Sequence, residues 1–226
     1  FLSFMRKELF PYIESNFKAD KDNRILMGCS LGGLFTLYAL FTEPDMFNGY
    51  VAASPAFGWD REVIYKYEKE YFDKNPTAPE RLYMCMGGVE RGVPGFDKLV
   101  KHLTDRNYKN IKIKTRVLDN IGHSGTKGEG YARGMQYIFE RPSLSLTADI
   151  LNKYTGNYEN NIEIKSENSK LVMYFGPNNK LPLHAVSDTE FYSDIEYFYV
   201  RFKPKDGKVD GLELEGFNGT RFISKR

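Results

Sequence analysis

The sequence has few cysteines and no long apolar run. Two cysteines among 226 residues, Cys29 and Cys85, cannot build a disulfide framework and lack the spacing of metal ligands. Both lie inside apolar runs, so we interpret them as buried thiols that leave the cellular compartment open. No apolar run approaches the ~20 residues that a transmembrane helix needs, so we expect no membrane span.

Basic and acidic residues are nearly equal in number. The chain has 32 Lys and Arg against 30 Asp and Glu, a formal net charge of +2. A nucleic-acid partner would require a basic face, so we expect none. Disorder is excluded by the 16 tyrosines, 17 phenylalanines and 41% hydrophobic residues, which can bury enough surface to form a core. The length fits one or two domains.

The first part of the chain alternates short apolar runs with segments of helical periodicity. Helical spacing covers residues 1–18, where Pro11 is tolerated only as a kink or a break between turns. Four short runs follow, each leading into a helical segment: RILM, GYVAASPAF and RLYMCMGG read as buried strands, and IKIKTRVLD alternates apolar and polar residues. The segment WDREVIYKYEKEYFDKN predicts one amphipathic helix. This alternation predicts a parallel α/β sheet covered on both faces.

The pattern changes at Pro142. Beyond it, short β-prone runs are separated by turn-forming residues: GNYEN, NIEIKSEN, KLVMYFG, LPLHAVS, TEFYS, YFYVRFKP, GLELEGF and TRFISK. Turn chemistry at this spacing predicts a small antiparallel all-β domain, as a meander, a sandwich or a barrel. We therefore expect a domain boundary at about residue 143, with domains over 1–143 and 144–226.

One motif in the first domain indicates covalent catalysis. Gly28-Cys29-Ser30-Leu31-Gly32 is a G-x-S-x-G pattern between an apolar run and a helical segment, the context of a nucleophile elbow. We expect the glycines on either side of Ser30 to let a sharp turn close. The serine would then stand at a helix N-terminus, which favours negative charge on a tetrahedral intermediate. The alternative is a glycine-rich turn with an idle serine.

A nucleophilic serine needs a base, and the chain has three histidines. His102 lies in a predicted helix, and His184 lies in the β-rich part beside Pro182. His123 lies in the loop that follows the fourth run, IKIKTRVLD. Doubly wound folds place functional groups in such loops. We therefore predict His123 as the base, against the alternative of a solvated loop histidine.

The acid that orients the base should lie between Ser30 and His123, because α/β-hydrolases have the chain order nucleophile, acid, histidine. Glu90 follows the third apolar run directly and is the best placed candidate. Asp97, in the same loop, and Asp119, just before the histidine, remain alternatives.

Four stretches carry a family resemblance: FLSFMRKELFPYIESNF, RILMGCSLGGLFTLYALFTEPDMFNGYVAASPAFGWD, LYMCMGGVERG and IGHSGTKGEGYARGMQYIF. Over residues 1–139 they resemble the esterase D-type family of α/β-hydrolases, which includes siderophore, feruloyl and acetyl-xylan esterases and S-formylglutathione hydrolases. The resemblance implies an α/β-hydrolase fold and a serine esterase activity that needs no metal or cofactor. Its specific parts are the SLGGLF elbow, Ser54-Pro55 followed by Trp59-Asp60, and the His-Ser pair before a small-residue helix.

Carried over residue by residue, the resemblance implies Ser30 as nucleophile, His123 as base and Glu90 as acid. It also implies that the backbone N–H of Leu31 supplies one oxyanion donor, and we expect Trp59 to bind substrate. The family more often has aspartate at the position of Glu90, and some members work with a Ser–His pair alone.

In this family, further sheet strands and the loop with the second oxyanion donor precede the helix at Phe1. We therefore expect either that the chain is a fragment or that a companion N-terminal segment completes the sheet. Other expected partners are a small-molecule ester and a second copy of the chain in a homo-oligomer.

The C-terminal part resembles, on the L-x-x-Y-x-G-x-Y pattern from Leu151 to Tyr158, the lipocalin-like module appended to some serine hydrolases related to penicillin-binding proteins. The sequence thus predicts a serine carboxylic-ester hydrolase that works through a Ser–His–acid triad and an acyl-enzyme. The alternative is a non-catalytic binding protein in which a hydrolase-like scaffold supports a recognition β module.

Overall fold

The computed structural model describes residues 1–77, 80–176, 179–195, 198–205, 207–216 and 218–226. The chain divides into two compact units, Phe1–Glu140 and Arg141–Arg226. Within the described residues, no helix is both long and apolar enough to cross a bilayer. The catalytic and accessory roles that the sequence suggests for the two parts stay predictions.

The first unit is a four-stranded parallel sheet with helices between the strands. Its strands lie in the order β1-β2-β3-β4, so each strand pairs with the next one along the chain. The strands are β1 (Ile25–Cys29), β2 (Gly49–Ala53), β3 (Glu80–Gly87) and β4 (Ile111–Leu118). The helices are α1 (Leu2–Phe4), a π-helical turn (Met5–Leu9), α2 (Phe10–Asn16), α3 (Leu31–Thr42), α4 (Trp59–Glu62), α5 (Ile64–Lys74), α6 (Val93–Asp105) and α7 (Thr126–Ile138).

The two central strands of this sheet, β2 and β3, are buried on both faces, as their continuous apolar runs predict. Alternate residues of a strand point to opposite faces, so each central strand supplies two cores. In β2, Tyr50 and Ala52 belong to the larger core, while Val51 and Ala53 belong to a smaller core that includes Ile138 of α7. The predicted parallel sheet is confirmed in this unit, with both faces covered at β2 and β3, whereas β4 alternates buried or half-buried with exposed residues.

Two helices differ from the sequence prediction. Pro11 stands at the start of α2, directly after the π-helical turn, so the helical segment predicted over residues 1–18 changes its hydrogen-bond pattern beside the proline. The single amphipathic helix predicted from Trp59 is wrong, because the segment forms two helices, α4 and α5. Asp60 and Arg61 have positive φ angles of 46° and 54°, which no continuous right-handed helix contains.

The second unit is an antiparallel meander of eight strands, each paired with its neighbours in the chain. A bridge between Tyr158 and Lys225 brings the first and last strands together, so the sheet is nearly closed. The strands are β5 (Gly156–Tyr158), β6 (Ile162–Glu167), β7 (Lys170–Phe175), β8 (Lys180–Ala185), β9 (Glu190–Ser193), β10 (Phe198–Lys205), β11 (Lys208–Gly216) and β12 (Gly219–Ser224). A short helix precedes them, α8 (Ala148–Tyr154), which the sequence reading did not predict.

One buried carboxyl group in the first unit lacks a compensating partner. Glu80 begins β3 and is 4% exposed. Its Oε2 atom is buried and accepts no hydrogen bond within the described part of the chain. Burial, and secondarily the charge of Asp45, raises the pKa of Glu80 to about 8. The carboxyl group is therefore neutral in the folded protein at pH 7.

We expect this group to make the protein less stable as the pH rises. The unfolded chain releases the Glu80 proton near the ordinary glutamate pKa, whereas the folded chain retains it until about pH 8. The free energy of unfolding should therefore fall by about 3 kcal/mol between pH 5 and pH 8, and Glu80→Gln should remove this fall. Urea unfolding followed by circular dichroism at both pH values measures it. The exposed control Glu8→Gln should keep the wild-type slope; a wild-type slope in Glu80→Gln would refute the assignment.

Candidate active site

The carboxyl ends of the four parallel strands meet at one edge of the sheet. Cys29, the last residue of β1, is in register with Ala53, the last residue of β2, and Ala53 is in register with Cys85 of β3. The residues that follow these ends therefore share one edge, where open α/β sheets bind ligands. They include Ser30 after β1, Ser54 after β2, Glu90 after β3 and His123 after β4.

Ser30 occupies a strained strand-to-helix turn. Its φ and ψ are 60° and −120°, outside the regions that non-glycine residues favour, and it caps the N-terminus of α3. Its backbone N–H donates to the Ala53 carbonyl at 3.1 Å, and its carbonyl accepts from the Ala56 N–H at 3.0 Å. The backbone of the neighbouring strand thus holds the turn in the geometry of a nucleophile elbow.

The glycines around Ser30 differ in the contacts that an added side chain would make. A Cβ at Gly28 would lie 2.1 Å from the Gly32 carbonyl oxygen, and one at Gly33 would lie 2.9 Å from the Ala53 carbonyl oxygen. A Cβ at Gly32 would meet no atom within 4 Å. The prediction that both flanking glycines close the turn therefore holds at Gly28 and is wrong at Gly32. At Gly33, therefore, α3 approaches the backbone at the end of β2 too closely for a side chain.

His123 and Glu90 form a charge-assisted pair. The His123 Nδ1 atom lies 2.6 Å from Glu90 Oε2, while about half of the imidazole surface remains exposed. Neither Asp97 nor Asp119, both exposed, makes a hydrogen bond to His123 in the described part of the chain. Among the three acids weighed from the sequence, the structure brings Glu90 to the histidine.

Glu90 is held by more than the histidine. Its Oε1 atom accepts hydrogen bonds from the Ser54 hydroxyl at 2.5 Å and from the Gly87 backbone N–H at 2.8 Å. Burial acts to raise the pKa of Glu90, but the hydrogen bonds from Ser54, His123 and Gly87 outweigh it and hold that pKa below its usual range. The group is therefore a fixed carboxylate at neutral pH.

Two buried hydroxyls link the acid to the loop of the histidine, and the sequence reading missed both roles. Ser54 is 1% exposed, and its hydroxyl oxygen lies 3.1 Å from the Thr126 hydroxyl oxygen. Thr126 is fully buried and donates to the His123 carbonyl at 2.8 Å. Their positions after β2 and at the start of α7 place them at the same edge as Ser30, and this is the signal that could have found them.

Ser30 and His123 do not form a hydrogen bond with each other among the described residues. Catalytic hydrogen bonds are often long in structures without substrate and tighten in the complex. Leu31 is the first residue of α3 and is 54% exposed. Its N–H belongs to the first turn, where helical amides have no intrahelical acceptor. Trp59 begins α4 on the loop after β2, and its side chain is 61% exposed.

The other two histidines have partners of their own. His102 Nε2 lies 2.7 Å from Glu68, a buried carboxylate between α5 and α6 that also accepts from Arg106. In the second unit, His184 lies 3.3 Å from the Ser143 hydroxyl and 2.9 Å from Asp194. This row has the residue types of a triad, but Ser143 has no strained φ angle. The adjoining cavity, about 10 Å³, cannot hold an ester.

The first unit matches a known family. The family model named Esterase, with the description "Putative esterase", covers residues 1–100. Over these residues the chain is similar to this esterase family. The ferri-bacillibactin esterase BesA of Bacillus subtilis is 34% identical over 93 residues, which are 40% of this chain and 32% of BesA. The siderophore triacetylfusarinine C esterase of Aspergillus fumigatus is 30% identical over 125 residues, 53% of this chain and 42% of that protein.

A solved structure from the same group supports the fold. The BES protein from Bacillus cereus aligns with a TM-score of 0.58 and 30% identity, over 61% of this chain and 53% of that one. An IroE-like serine hydrolase from Shewanella oneidensis has the same fold at 23% identity and a TM-score of 0.56, covering 62% of this chain and 47% of its own. This chain spans about a third to two fifths of the curated esterases it matches.

Proposed function

We propose that this protein is a serine esterase in which Ser30, His123 and Glu90 form the catalytic triad. The observation that carries the proposal is the strained turn at Ser30 on the same sheet edge as the 2.6 Å pair of His123 and Glu90. The similarity of the first unit to this esterase family supports it independently. A nucleophile at a strained strand–helix turn and an oriented imidazole are the parts that acyl transfer needs.

In this mechanism, Ser30 Oγ attacks the ester carbonyl carbon while His123 Nε2 takes the hydroxyl proton. The Leu31 N–H stabilises the negative oxygen of the tetrahedral intermediate. The C–O bond to the alcohol then breaks, and His123 returns its proton to the leaving oxygen. Water, deprotonated by the same imidazole, cleaves the acyl-enzyme and releases the acid. Glu90 accepts the Nδ1 hydrogen throughout and stabilises the imidazolium that forms.

The substrate class is a carboxylic ester. Relatives at 30–34% identity are named as siderophore esterases, so an ester-linked siderophore is the natural compound to assay beside a small chromogenic ester. Trp59, exposed on the loop whose Ala56 amide bonds to Ser30, is proposed to contact the substrate. The second unit is proposed to act as an accessory domain, since Ser30, Glu90 and His123 all belong to the first.

The test is covalent labelling with a fluorophosphonate together with hydrolysis of a chromogenic acetate ester. We expect one equivalent of label on Ser30, identified by peptide mass spectrometry, and turnover that is lost in step with labelling. A binding protein with an idle serine would give neither. Labelling of Ser143 instead would move the nucleophile to the second unit.

Ser54 and Thr126 are proposed to position Glu90 and His123 for this reaction. The Ser54 hydroxyl donates to the carboxylate, so its removal should raise the pKa of Glu90. We expect Ser54→Ala to lower kcat by about tenfold and to shift the acidic limb of the kcat profile to higher pH, because Glu90 then protonates earlier as the pH falls. Measured pH–rate profiles test both effects.

Thr126 provides the matched control. Thr126→Val keeps the shape but removes the bond to the His123 carbonyl, and Thr126→Ser keeps the hydroxyl. We expect the valine variant to lose activity and the serine variant to recover most of it. An unchanged acidic limb in Ser54→Ala, or equal losses in both Thr126 variants, would reduce these residues to a packing role.

A further inference from the structure

A cavity of about 610 Å³ opens in the second unit, in the size range of small-molecule sites. It is lined by α8, the facing ends of β10 and β11, and Lys225, which follows β12. None of its lining residues belongs to the edge that carries Ser30, which lies in the first unit. The mechanism proposed above gives this cavity no role.

The charged lining of the cavity is mainly cationic. Lys153, Lys208 and Lys225 line it together with one acid, Asp188. Within the residues that the structure describes, none of the three lysines forms an ion pair. Lys225 is half-buried, its Nζ donates to the Lys153 carbonyl at 2.9 Å, and burial lowers its pKa. A partly desolvated ammonium without a carboxylate partner is a favourable position for an anion.

A tyrosine hydroxyl adds a donor. Tyr154 lines the cavity and is 4% exposed, with its ring stacked on Phe202 at 4.1 Å between centroids. Its hydroxyl makes no hydrogen bond in the described part of the chain. Burial, and secondarily the charge of Asp188, raises the pKa of Tyr154. The hydroxyl is therefore close enough to Asp188, which also lines the cavity, to interact with its charge. Because Tyr154 lines the cavity, its hydroxyl can donate a hydrogen bond to a ligand oxygen there.

The rest of the lining includes an apolar wall, formed by Ile150, Pro204 and Val209. We propose that the cavity binds a small amphipathic carboxylate whose head accepts a hydrogen bond from Tyr154 and pairs with Lys225. Its apolar body lies against Ile150 and Val209, and Lys153 and Lys208 add to the attraction for the anion. This site is independent of the proposed esterase activity.

Isothermal titration calorimetry of the whole protein with octanoate tests the proposal. We expect saturable binding to one site, at least about tenfold weaker binding of the neutral octanamide, and no saturation by acetate, because both charge and apolar body contribute. Tyr154→Phe keeps the ring stack and removes the hydroxyl, and Lys225→Met keeps the stem and removes the charge. Each should weaken octanoate binding by about tenfold.

Lys165→Met is the matched control: the Lys225 ammonium lies over the ring of Tyr158 and the Lys165 ammonium over that of Tyr174, but Lys165 does not line the cavity. It should bind octanoate within about twofold of wild type. Octanoate bound near Ser30, as a carboxylate product would be, should not respond to Tyr154→Phe. Loss of octanoate binding in this variant therefore assigns the binding to the cavity of the second unit. Absence of saturable binding, equal binding of octanoate and octanamide, or wild-type affinity in folded Tyr154→Phe would overturn the proposal.

Discussion

Replacing Ser30 or His123 by alanine should each lower turnover of a chromogenic ester on the order of 10⁴-fold or more. Ser30 supplies the attacking oxygen and His123 receives its proton, so neither step proceeds without the other. The double variant should therefore lose little beyond either single variant. Neither change removes a core side chain, since Ser30 is half-buried and His123 is exposed, so the fold should survive. Burst and steady-state kinetics measure the loss.

Ser124→Ala and His184→Ala serve as controls of the same residue types. Ser124 is the exposed neighbour of His123, and His184 lies in the second unit. Both should retain activity within a few-fold, with circular dichroism showing folded protein for all variants. Turnover within tenfold of wild type in Ser30→Ala or in His123→Ala would refute the assignment of that residue.

The sequence predicts those strands and helices whose own residues carry the hydrophobic pattern and turn signals of the element. Apolar runs predicted the first three parallel strands, because a buried parallel strand needs apolar side chains on both faces, and the alternation of IKIKTRVL predicted β4. The eight runs after Pro142 correspond to the eight antiparallel strands, since turn chemistry separates each pair. Family resemblance over the first unit is confirmed by the family model.

Features that depend on contacts distant in the chain could not be predicted. The break between α4 and α5 depends on the left-handed backbone angles of Asp60 and Arg61. Neither residue is a glycine, so the sequence does not indicate these angles. Gly32 and Gly33 look alike in sequence, but only Gly33 faces the backbone of β2. Ser54 and Thr126 are 72 residues apart, so their hydroxyls come together only once the sheet has formed. The short helix α8 could not be predicted, because its seven residues are too few to show a clear helical periodicity of apolar side chains.

The acid was the least determined of the site residues, since Glu90, Asp97 and Asp119 all lie between Ser30 and His123. The structure separates them by contact. Glu90 reaches His123 Nδ1 at 2.6 Å, and its second oxygen is fixed by Ser54 and the Gly87 amide. An orienting acid must hold the imidazole in one tautomer, with the hydrogen on Nδ1, so that Nε2 is free to take the serine proton.

Glu90→Gln should therefore lower kcat by about 10²–10⁴-fold, since an amide that donates to Nδ1 imposes the wrong tautomer and leaves the imidazolium without a countercharge. Because the depressed pKa keeps Glu90 ionised, wild-type activity should lose this support only as the pH falls through that low pKa. Asp97→Asn and Asp119→Asn, both exposed, should stay within about threefold of wild type. The measurement is kcat for ester hydrolysis across pH for the three isosteric variants. If Asp119→Asn were the damaging change, Glu90 would be a structural carboxylate; a mild effect from all three would mean that Ser30 and His123 work as a pair.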